Sequence, residues 1–327
     1  MSVTIKDLAL IAGVSYSTVS KALNDSSLVK PKTKEKIIKL AKEMGYEPNY
    51  AAQRLVSKES KVIGLIWPTL ERVAPSALVT KINEEISKNS YSMILSVNSL
   101  QTSLEMFKRF QVDGVIIFNE YLDSMPESFS LPALTYGVSK DKPFPVVDVN
   151  YQEAMHSAVK YLYDLGHKRI AYIGDLSPLD ERQLEKYSGF QKAMKNFNLD
   201  SENSLFNTAG LNWYDGYMAT NHLINSSYRP TAIIGASYDI SAGIVRALRQ
   251  EKFNIPNDIS VISYDNIPQM ENMEIPLTSV GVPVEKIAHC MVQTLISYIK
   301  NPDSVPLTQT LTPVIAERSS CALLEDK

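Results

Sequence analysis

The chain has 327 residues, of which 44% are hydrophobic, 9% aromatic and 21% charged, and its formal net charge is −3. This composition is typical of a globular protein of about two domains, and it excludes a disordered chain, a collagen and a disulfide-rich secreted scaffold. The cysteines Cys290 and Cys321 indicate a reducing compartment. Neither a membrane helix nor a signal peptide is evident from the apolar runs, so we expect a cytoplasmic protein that does not enter the membrane.

The net charge is distributed unevenly along the chain. Residues 1–60 contain 10 Lys and Arg against 6 Asp and Glu, a net charge of +4. Residues 61–327 contain the remaining 23 and 30, a net charge of −7. A small basic segment joined to a large acidic one predicts two parts with different partners.

The basic segment predicts three short helices. Thr4 begins a weak capping signal for the first helix, and Gly13 ends it. Ser15 is placed to cap a second helix over 16–23, and Pro31 suits the first position of the third. Apolar residues at helical spacing predict the inner faces, which comprise Ile5, Leu8, Ala9, Ile11, Ala12, Val19, Ala22, Leu23, Ile37, Ile38, Leu40, Ala41 and Met44.

Two short helices joined by a tight turn that contains glycine are typical of a helix-turn-helix, whose second helix enters the major groove of DNA. The exposed face of the second predicted helix carries Tyr16, Ser17, Ser20 and Lys21. Small hydroxyls, an aromatic ring and a cation suit base edges and phosphates. Composition alone equally allows a small helical bundle with no ligand.

Four stretches of this segment together form a long pattern of residues in a fixed order, and they are Val3–Ala9, Ala12–Ser15, Ser17–Asn24 and Gly45–Asn49. They closely resemble the DNA-binding head of the lactose/galactose repressor family. The resemblance implies base contacts by Tyr16, Ser17 and Lys21. It also implies phosphate contacts by Thr4, Ser15, Thr18, Ser20, Asn24 and Thr33. Lys21 stands where the family more often has Arg. Its ammonium would contact a base as a point charge, and not through the two parallel hydrogen bonds of a guanidinium.

A linker follows the predicted head. Residues 50–58 are helix-forming, but they are too few to hold a helix alone in water. Without the resemblance, the composition of residues 50–58 favours a solvated linker between the head and the body. The resemblance instead implies a hinge helix that includes Asn49, Ala51 and Ala52 and folds in the minor groove, where Leu55 wedges between base pairs.

Strand and helix patterns alternate from residue 62 onwards. Predicted strands lie at 62–67, 91–97, 115–118, 133–136, 146–149, 169–173, 232–235 and 259–264. Predicted helices lie at 77–87, 104–110, 153–165, 183–197, 213–224, 240–251 and 284–299. This alternation predicts parallel sheets covered by helices, in a unit that occurs twice, with a ligand between the two lobes at the carboxyl ends of the strands.

The family resemblance continues through Leu165–Gly174, Arg229–Ile233, Ile255–Ile262 and Pro276–Val280. It implies an all-α helix-turn-helix head and an α/β periplasmic-binding-protein-like body of two doubly wound lobes. The expected divisions are a head at 1–48, a hinge at 49–60 and an effector-binding and dimerisation domain at 61–327. Lobe 1 takes about 61–155 and 284–315, and lobe 2 takes about 156–283 and 316–327.

Candidate effector residues fall at strand ends and early helix turns, and they are Trp67, Thr69, Asn98, Tyr136, Lys186, Trp213, Ser237, Tyr238 and Asp265. The resemblance implies that Asp265 accepts hydrogen bonds from effector hydroxyls and that Trp213 forms a stacking wall. Lys186 replaces an Arg common in the family. Trp67 fits a core residue better than a stacking platform, and Asp265 also fits a helix or loop cap. Arg72–Ala74 replace a common family motif, so analogy does not identify the ligand.

We therefore expect a homodimeric transcriptional regulator bound to a near-palindromic operator on double-stranded DNA. The favoured function is repression of carbohydrate-utilisation genes under a sugar-like effector, which could act as inducer or corepressor. Control by a phosphoprotein partner or a nucleobase-type corepressor remains an alternative, as does, more remotely, a solute-binding receptor. The sequence shows no catalytic motif and no metal-ligand spacing, so no enzyme activity, cofactor or metal is expected.

Overall fold

The computed structural model describes residues 3–23, 25–46, 59–118, 130–138, 144–177, 180–201 and 203–324. The chain divides into two compact units, a head over residues 1–60 and a body over residues 61–327. Within the described ranges, no helix is long and apolar enough to cross a membrane.

The described part of the head contains α1 (Ile5–Ala12), α2 (Tyr16–Leu23) and α3 (Pro31–Glu43). Thr4 and Asp7 form a capping box at the start of α1. The Asp7 N–H donates to Thr4 Oγ1 at 3.4 Å, and the Thr4 N–H donates to the Asp7 carboxylate at 2.8 Å. Gly13 follows α1 with a left-handed φ of 69°, which ends the helix. The three helices predicted from the sequence are confirmed.

A small apolar core holds the head helices together, and Leu8, Val19 and Ile37 are fully buried in it. Ile11 and Ile38, which the helical pattern assigns to inner faces, are 55% and 49% exposed. Each is the immediate sequence neighbour of a buried residue, and one residue rotates the side chain about 100° around the helix. The buried stripe is too narrow to include them, so this part of the prediction is wrong.

The body alternates strands and helices as predicted. Its described strands are β1 (Val62–Ile66), β2 (Ser92–Ser96), β3 (Gly114–Phe118), β4 (Ala133–Tyr136), β5 (Val146–Val149), β6 (Ile170–Gly174), β7 (Leu205–Asn207), β8 (Ala232–Gly235), β9 (Ser260–Asn266), β10 (Thr278–Pro283), β11 (Thr308–Leu311) and β12 (Val314–Ala316). Its described α-helices are α4 (Val73–Lys88), α5 (Leu100–Phe110), α6 (Tyr151–Asp164), α7 (Glu181–Asn196), α8 (Trp213–Asn225), α9 (Tyr238–Gln250) and α10 (Val284–Lys300).

The strands form two six-stranded sheets, ordered β11-β5-β4-β3-β1-β2 and β12-β10-β9-β8-β6-β7. Neighbouring strands are parallel, except that β12 runs antiparallel to β10. β1, β3 and β6 are buried along their whole length, as expected where helices cover both faces of a parallel sheet. Each sheet with its helices forms one lobe, and this confirms the predicted fold class.

The chain passes between the two sheets after β5, after β10 and between β11 and β12. Helix α6, which follows β5, packs against α7, and helix α10, which follows β10, packs against α4. Four strands were not predicted from local patterns, namely β7, β10, β11 and β12. These strands are very short, polar, or interrupted by glycine and proline, so their pairing partners and not their own patterns define them.

Helices α8 and α9 approach each other through two glycines. A Cβ on Gly243 would overlap the backbone of Trp213 and Tyr217, and a Cβ on Gly216 would overlap the backbone of Ile240. The absence of side chains at these two positions therefore allows the close contact between the helices.

We expect Gly243→Ala to lower the stability of the body by about 1–3 kcal/mol, because backbone atoms cannot yield as a flexible side chain does. Ala is the better helix former by about 1 kcal/mol, so any loss must come from packing. Urea unfolding followed by circular dichroism measures the change. Arg249→Ala removes an exposed side chain of the same helix together with its surface ion pair to Glu274, and it should change stability by less than about 1 kcal/mol. Equal stability of Gly243→Ala and wild type would contradict the tight contact.

Candidate functional site

Strand ends from both sheets border one cavity of about 90 Å³ in the body. Trp67 follows β1, Phe118 ends β3 and Tyr136 ends β4, whereas Asp265 and Asn266 come from the end of β9. The carboxyl ends of parallel strands are the usual place for ligands in open α/β sheets. The cavity is therefore the candidate ligand site of the body.

Aromatic rings form one wall of the cavity. The rings of Trp67 and Tyr136 stack at 6.3 Å with an interplanar angle of 8°, and the Phe118 ring lies edge-on to Trp67 at 4.7 Å. Burial raises the pKa of Tyr136 to about 12, so its hydroxyl stays protonated at neutral pH. Trp67 is fully buried and also borders the cavity, so it belongs both to the core and to the candidate site.

Lys186 brings a buried positive charge into the site from α7. Its side chain is 3% exposed, and Nζ donates a hydrogen bond to the Ala236 carbonyl oxygen at 2.7 Å. The ammonium also lies 4.4 Å from the centre of the Tyr264 ring. Burial lowers the pKa of Lys186 to about 8, although the nearby carboxylates of Asp265 and Asp180 oppose this shift.

Asp265 borders the cavity and also caps a helix. Its Oδ2 accepts a hydrogen bond from the Tyr238 N–H at 2.9 Å, at the start of α9. Its backbone has a left-handed φ of 85°, which is unusual for a residue other than glycine. The structure therefore shows Asp265 as a helix cap on the cavity wall, and its role as an acceptor for effector hydroxyls stays a prediction.

Two arginines that the sequence analysis did not select also border the cavity. The Arg182 guanidinium lies 4.0 Å from the centre of the Phe118 ring, and its Nε donates to Asp180 at 3.0 Å. Burial raises the pKa of Asp180, but Arg182 outweighs this effect and holds it at about 2. Arg72 precedes α4, and its Nε lies 3.9 Å from Asp239 Oδ2 on α9.

The sequence contained a signal for only one of these arginines. Arg182 lies four residues before Lys186 on the same helix, and residues at this spacing share one helix face. Arg72 is remote in sequence from every other cation at the site, so only the tertiary structure brings it there.

Of the nine predicted effector residues, Trp67, Tyr136, Lys186, Ser237 and Asp265 line the cavity. Ser237 also caps α9, because its Oγ accepts from the Ile240 N–H.

The structure places the other four outside that lining. Thr69 Oγ1 accepts from the Glu71 N–H, Asn98 is exposed beside Ser96, and Tyr238 contributes its backbone N–H to Asp265. Trp213 is 46% exposed in a separate groove, where Arg246 stacks on its ring at 5.1 Å. Its position at the first turn of α8 directs the ring towards α9, and not towards the strand ends.

The predicted DNA-contacting residues of the head lie on or beside α2. Tyr16, Ser17 and Lys21 are exposed, and Thr18 and Ser20 are half-exposed. Thr4 and Ser15 are exposed helix caps, and Thr33 is half-exposed on α3. Asn24, Asn49, Ala51, Ala52 and Leu55 lie outside the described residues.

Comparison with known proteins matches the head and the body to two different family models. A model of bacterial regulatory proteins of the lacI family matches residues 4–49, and a model of a periplasmic binding protein-like domain matches residues 159–321. Catabolite control protein A of Priestia megaterium is 28% identical over 310 residues, covering 91% of this chain and 93% of that protein. HTH-type transcriptional repressor PurR of Mannheimia succiniciproducens is 29% identical over 330 residues, covering 97% and 98%.

Solved structures share the architecture. A lac repressor dimer bound to operator and the anti-inducer ONPF has a TM-score of 0.83 and 25% identity, covering 98% of this chain and 100% of that one. A lacI family transcriptional regulator from Enterococcus faecium with bound ribose has a TM-score of 0.71 at 24% identity, covering 81% and 100%, and shows the fold alone.

The fold and the matched segments thus define a regulator with a helix-turn-helix head and a periplasmic binding protein-like body. The chain has a head of the lacI family of bacterial regulatory proteins and a periplasmic binding protein-like body, and it is a DNA-binding transcriptional regulator. The relatives named above are regulators and not enzymes.

The buried lysine makes stability depend on pH. The pKa of Lys186 is about 8 when folded and 10.5 ordinarily, so below pH 8 both states hold the proton and the folded state carries the full desolvation penalty. Between pH 8 and 10.5 the unfolded state binds more protons, so this contribution to stability rises with pH. We expect Lys186→Met to stabilise the body most at pH 7, and the advantage to shrink towards pH 10.

Urea unfolding at pH 7, 8, 9 and 10 measures this difference. Lys195→Met, at an exposed position on the same helix, should remain close to wild type at each pH. A constant difference between Lys186→Met and wild type over this range would show that Lys186 is not held in a desolvated site.

Proposed function

We propose that this regulator is a repressor of carbohydrate-utilisation genes and that a sugar-like effector bound between its two lobes controls it. The observation that carries the proposal is the cavity at the carboxyl ends of both sheets, where stacked aromatic rings lie beside Asp265 and Lys186. Aromatic faces pack against the C–H groups of a sugar ring, and charged side chains hydrogen-bond its hydroxyls.

The cavity also explains how an effector would change DNA binding. Its walls come from both lobes, so a ligand held by Tyr136 of one lobe and Asp265 of the other binds best at one separation of the lobes. An effector shifts an equilibrium only through different affinities for the two states. A ligand that bridges the lobes meets this requirement.

Relatives support the DNA and sugar parts of the proposal. The lac repressor dimer is bound to its operator and to ONPF, and a second lac repressor structure at 26% identity is bound to ONPG. The ribose operon repressor of Haemophilus influenzae is 27% identical over 331 residues. We infer that this chain also acts as a homodimer on a near-palindromic operator, because a two-fold dimer presents two recognition helices.

In this proposal α2 reads bases through Tyr16, Ser17 and Lys21, and the hinge over 49–60 orders in the minor groove with Leu55 as the wedge. The phosphate contacts come from Thr4, Ser15, Thr18, Ser20, Asn24 and Thr33. The regulator works in the cytoplasm, at the nucleoid, and does so without catalysis.

A substitution in α2 tests the DNA-binding role of the head. We expect Lys21→Ala to weaken operator binding by about 5- to 150-fold, because a base contact is worth roughly 1–3 kcal/mol. Binding to scrambled DNA should weaken much less. Fluorescence anisotropy with an operator selected from a random library measures both affinities.

Lys39→Ala is the matched control, because Lys39 is an exposed lysine on α3 that pairs with Glu43. It should leave operator binding within about twofold of wild type. An equal loss on operator and scrambled DNA in Lys21→Ala would make Lys21 a phosphate contact and not a base contact.

A substitution in the cavity tests the effector role of the body. A thermal-shift screen of neutral sugars, sugar acids, sugar phosphates and nucleobases first identifies the compound that raises the melting temperature. We expect Asp265→Asn to reduce that compound's effect on operator affinity at least tenfold, because the carboxylate is a stronger acceptor than an amide. Operator affinity without the compound should stay within about twofold.

Asp303→Asn provides the control, because Asp303 is an exposed carboxylate outside the cavity lining. An unchanged response in Asp265→Asn would remove Asp265 from the effector site. A response to a nucleobase and to no sugar would replace the sugar-like effector with a nucleobase-type corepressor.

A further inference from the structure

The side chains that border the cavity carry an excess of positive charge. Arg72, Arg182 and Lys186 line it, whereas Asp265 is the one carboxylate on its described wall. The cations lie close enough that Arg72 and Arg182 both lower the pKa of Lys186. A neutral sugar would add no negative charge beside Arg72 and Lys186 in this largely buried space.

The carboxylates behind the wall balance these charges unevenly. Asp180 pairs closely with Arg182, whereas Asp239 leaves Arg72 Nε without a hydrogen bond. Asp180 accepts from Nε and Nη2 of Arg182, both at 3.0 Å. Asp239 Oδ2 accepts from the Val73 N–H at 3.3 Å, and its separation of 3.9 Å from Arg72 Nε is too long for a hydrogen bond. Neither aspartate borders the cavity.

The cavity wall also contains buried donors that lack acceptors. Trp67 Nε1 and Arg72 Nε are buried without a hydrogen-bond partner among the described residues. Buried polar groups are normally paired, so unpaired groups on a cavity wall indicate what a ligand brings. Both donors come from the first lobe, and Lys186 faces the same cavity from the second. The three groups together suit oxygen atoms that carry negative charge.

Acceptors on the same wall suit hydroxyl groups. Gln183 is 3% exposed, and its Oε1 is buried without a partner among the described residues. Asp265 adds a carboxylate to the lining of the same cavity. A ligand that carries hydroxyls at one end and negatively charged oxygens at the other would complete both sets of hydrogen bonds.

We propose that the cavity takes a sugar derivative with an anionic group, a carboxylate or a phosphate, whose oxygens accept hydrogen bonds from Trp67, Arg72 and Lys186. Hydroxyls of the same ligand donate to Gln183 and Asp265. The anion links donors of the first lobe to the ammonium of the second. This inference rests on the proposed function for its assumption that the cavity is the effector site.

Isothermal titration of the full chain with matched compounds tests the inference. The probes are D-glucose with D-glucuronate and D-glucose 6-phosphate, D-galactose with its uronate and 6-phosphate, and D-ribose with D-ribose 5-phosphate. We expect at least one anionic compound to bind about tenfold or more tightly than its neutral parent, because one charge-assisted hydrogen bond has about this effect. The acid and phosphate arms distinguish the two anionic groups.

Arg72→Gln should reduce the preference for the anion about tenfold, and Trp67→Phe should reduce it without removing an aromatic ring. Arg249→Ala, which removes an arginine outside the cavity, should leave the preference unchanged. The inference is overturned if a neutral parent binds as tightly as its anions, if Arg72→Gln weakens both equally, or if no anionic compound binds.

Proton uptake gives a second readout. At pH 8 Lys186 is about half protonated, and a bound carboxylate favours its charged form. Titrations of the uronate in buffers of different ionisation enthalpy should show proton uptake that is absent in Lys186→Met. Equal proton uptake in both proteins contradicts the contact between Lys186 and the anion.

Operator affinity separates this inference from the proposed function. A neutral sugar that binds as tightly as its anionic derivatives and changes operator affinity overturns only this inference. An anion that binds without changing operator affinity overturns only the effector role.

Discussion

The parallel arrangement of the strands is the constraint on which the structure of the body depends. Parallel strands need crossover connections, and these connections place the carboxyl ends of the parallel strands of a sheet at one edge. The chain passes between the two sheets at three places, and the residues at their carboxyl edges border the same cavity. Trp67, Tyr136 and Asp265, which are remote in sequence, become neighbours for this reason.

Burial makes the charges that line this cavity costly to the folded state unless they are compensated. A lysine that is 3% exposed is unfavourable unless opposite charge or a ligand compensates it, and its pKa of about 8 records that penalty. Asp265 supplies part of the compensation while its Oδ2 also caps α9. Asp239 of α9 accepts from the N–H of Val73, at the start of α4, and so connects the two lobes beside the cavity. Few side chains therefore connect the two lobes at this edge of the cavity.

The sequence predicted the fold well where local patterns are strong. The three head helices follow from capping residues and helical spacing, and the central buried strands follow from apolar runs. Three of the four edge strands, β7, β11 and β12, were missed because their pairing comes from neighbours, as β11 shows with its residues Thr-Gln-Thr-Leu. Ile11 and Ile38 were misplaced because periodicity does not state how wide a buried stripe is.

For the candidate site, the sequence by itself determined which chemistry is available at the ends of strands and helices. It indicated Lys186, Asp265 and Tyr136, because their places follow from local elements, and the order of residues in the head indicated the regulator family. The tertiary structure decided that Arg72 and Arg182 join these residues and that Trp213 does not. Local patterns act over a few residues, whereas a cavity between two lobes is formed by contacts between segments more than a hundred residues apart.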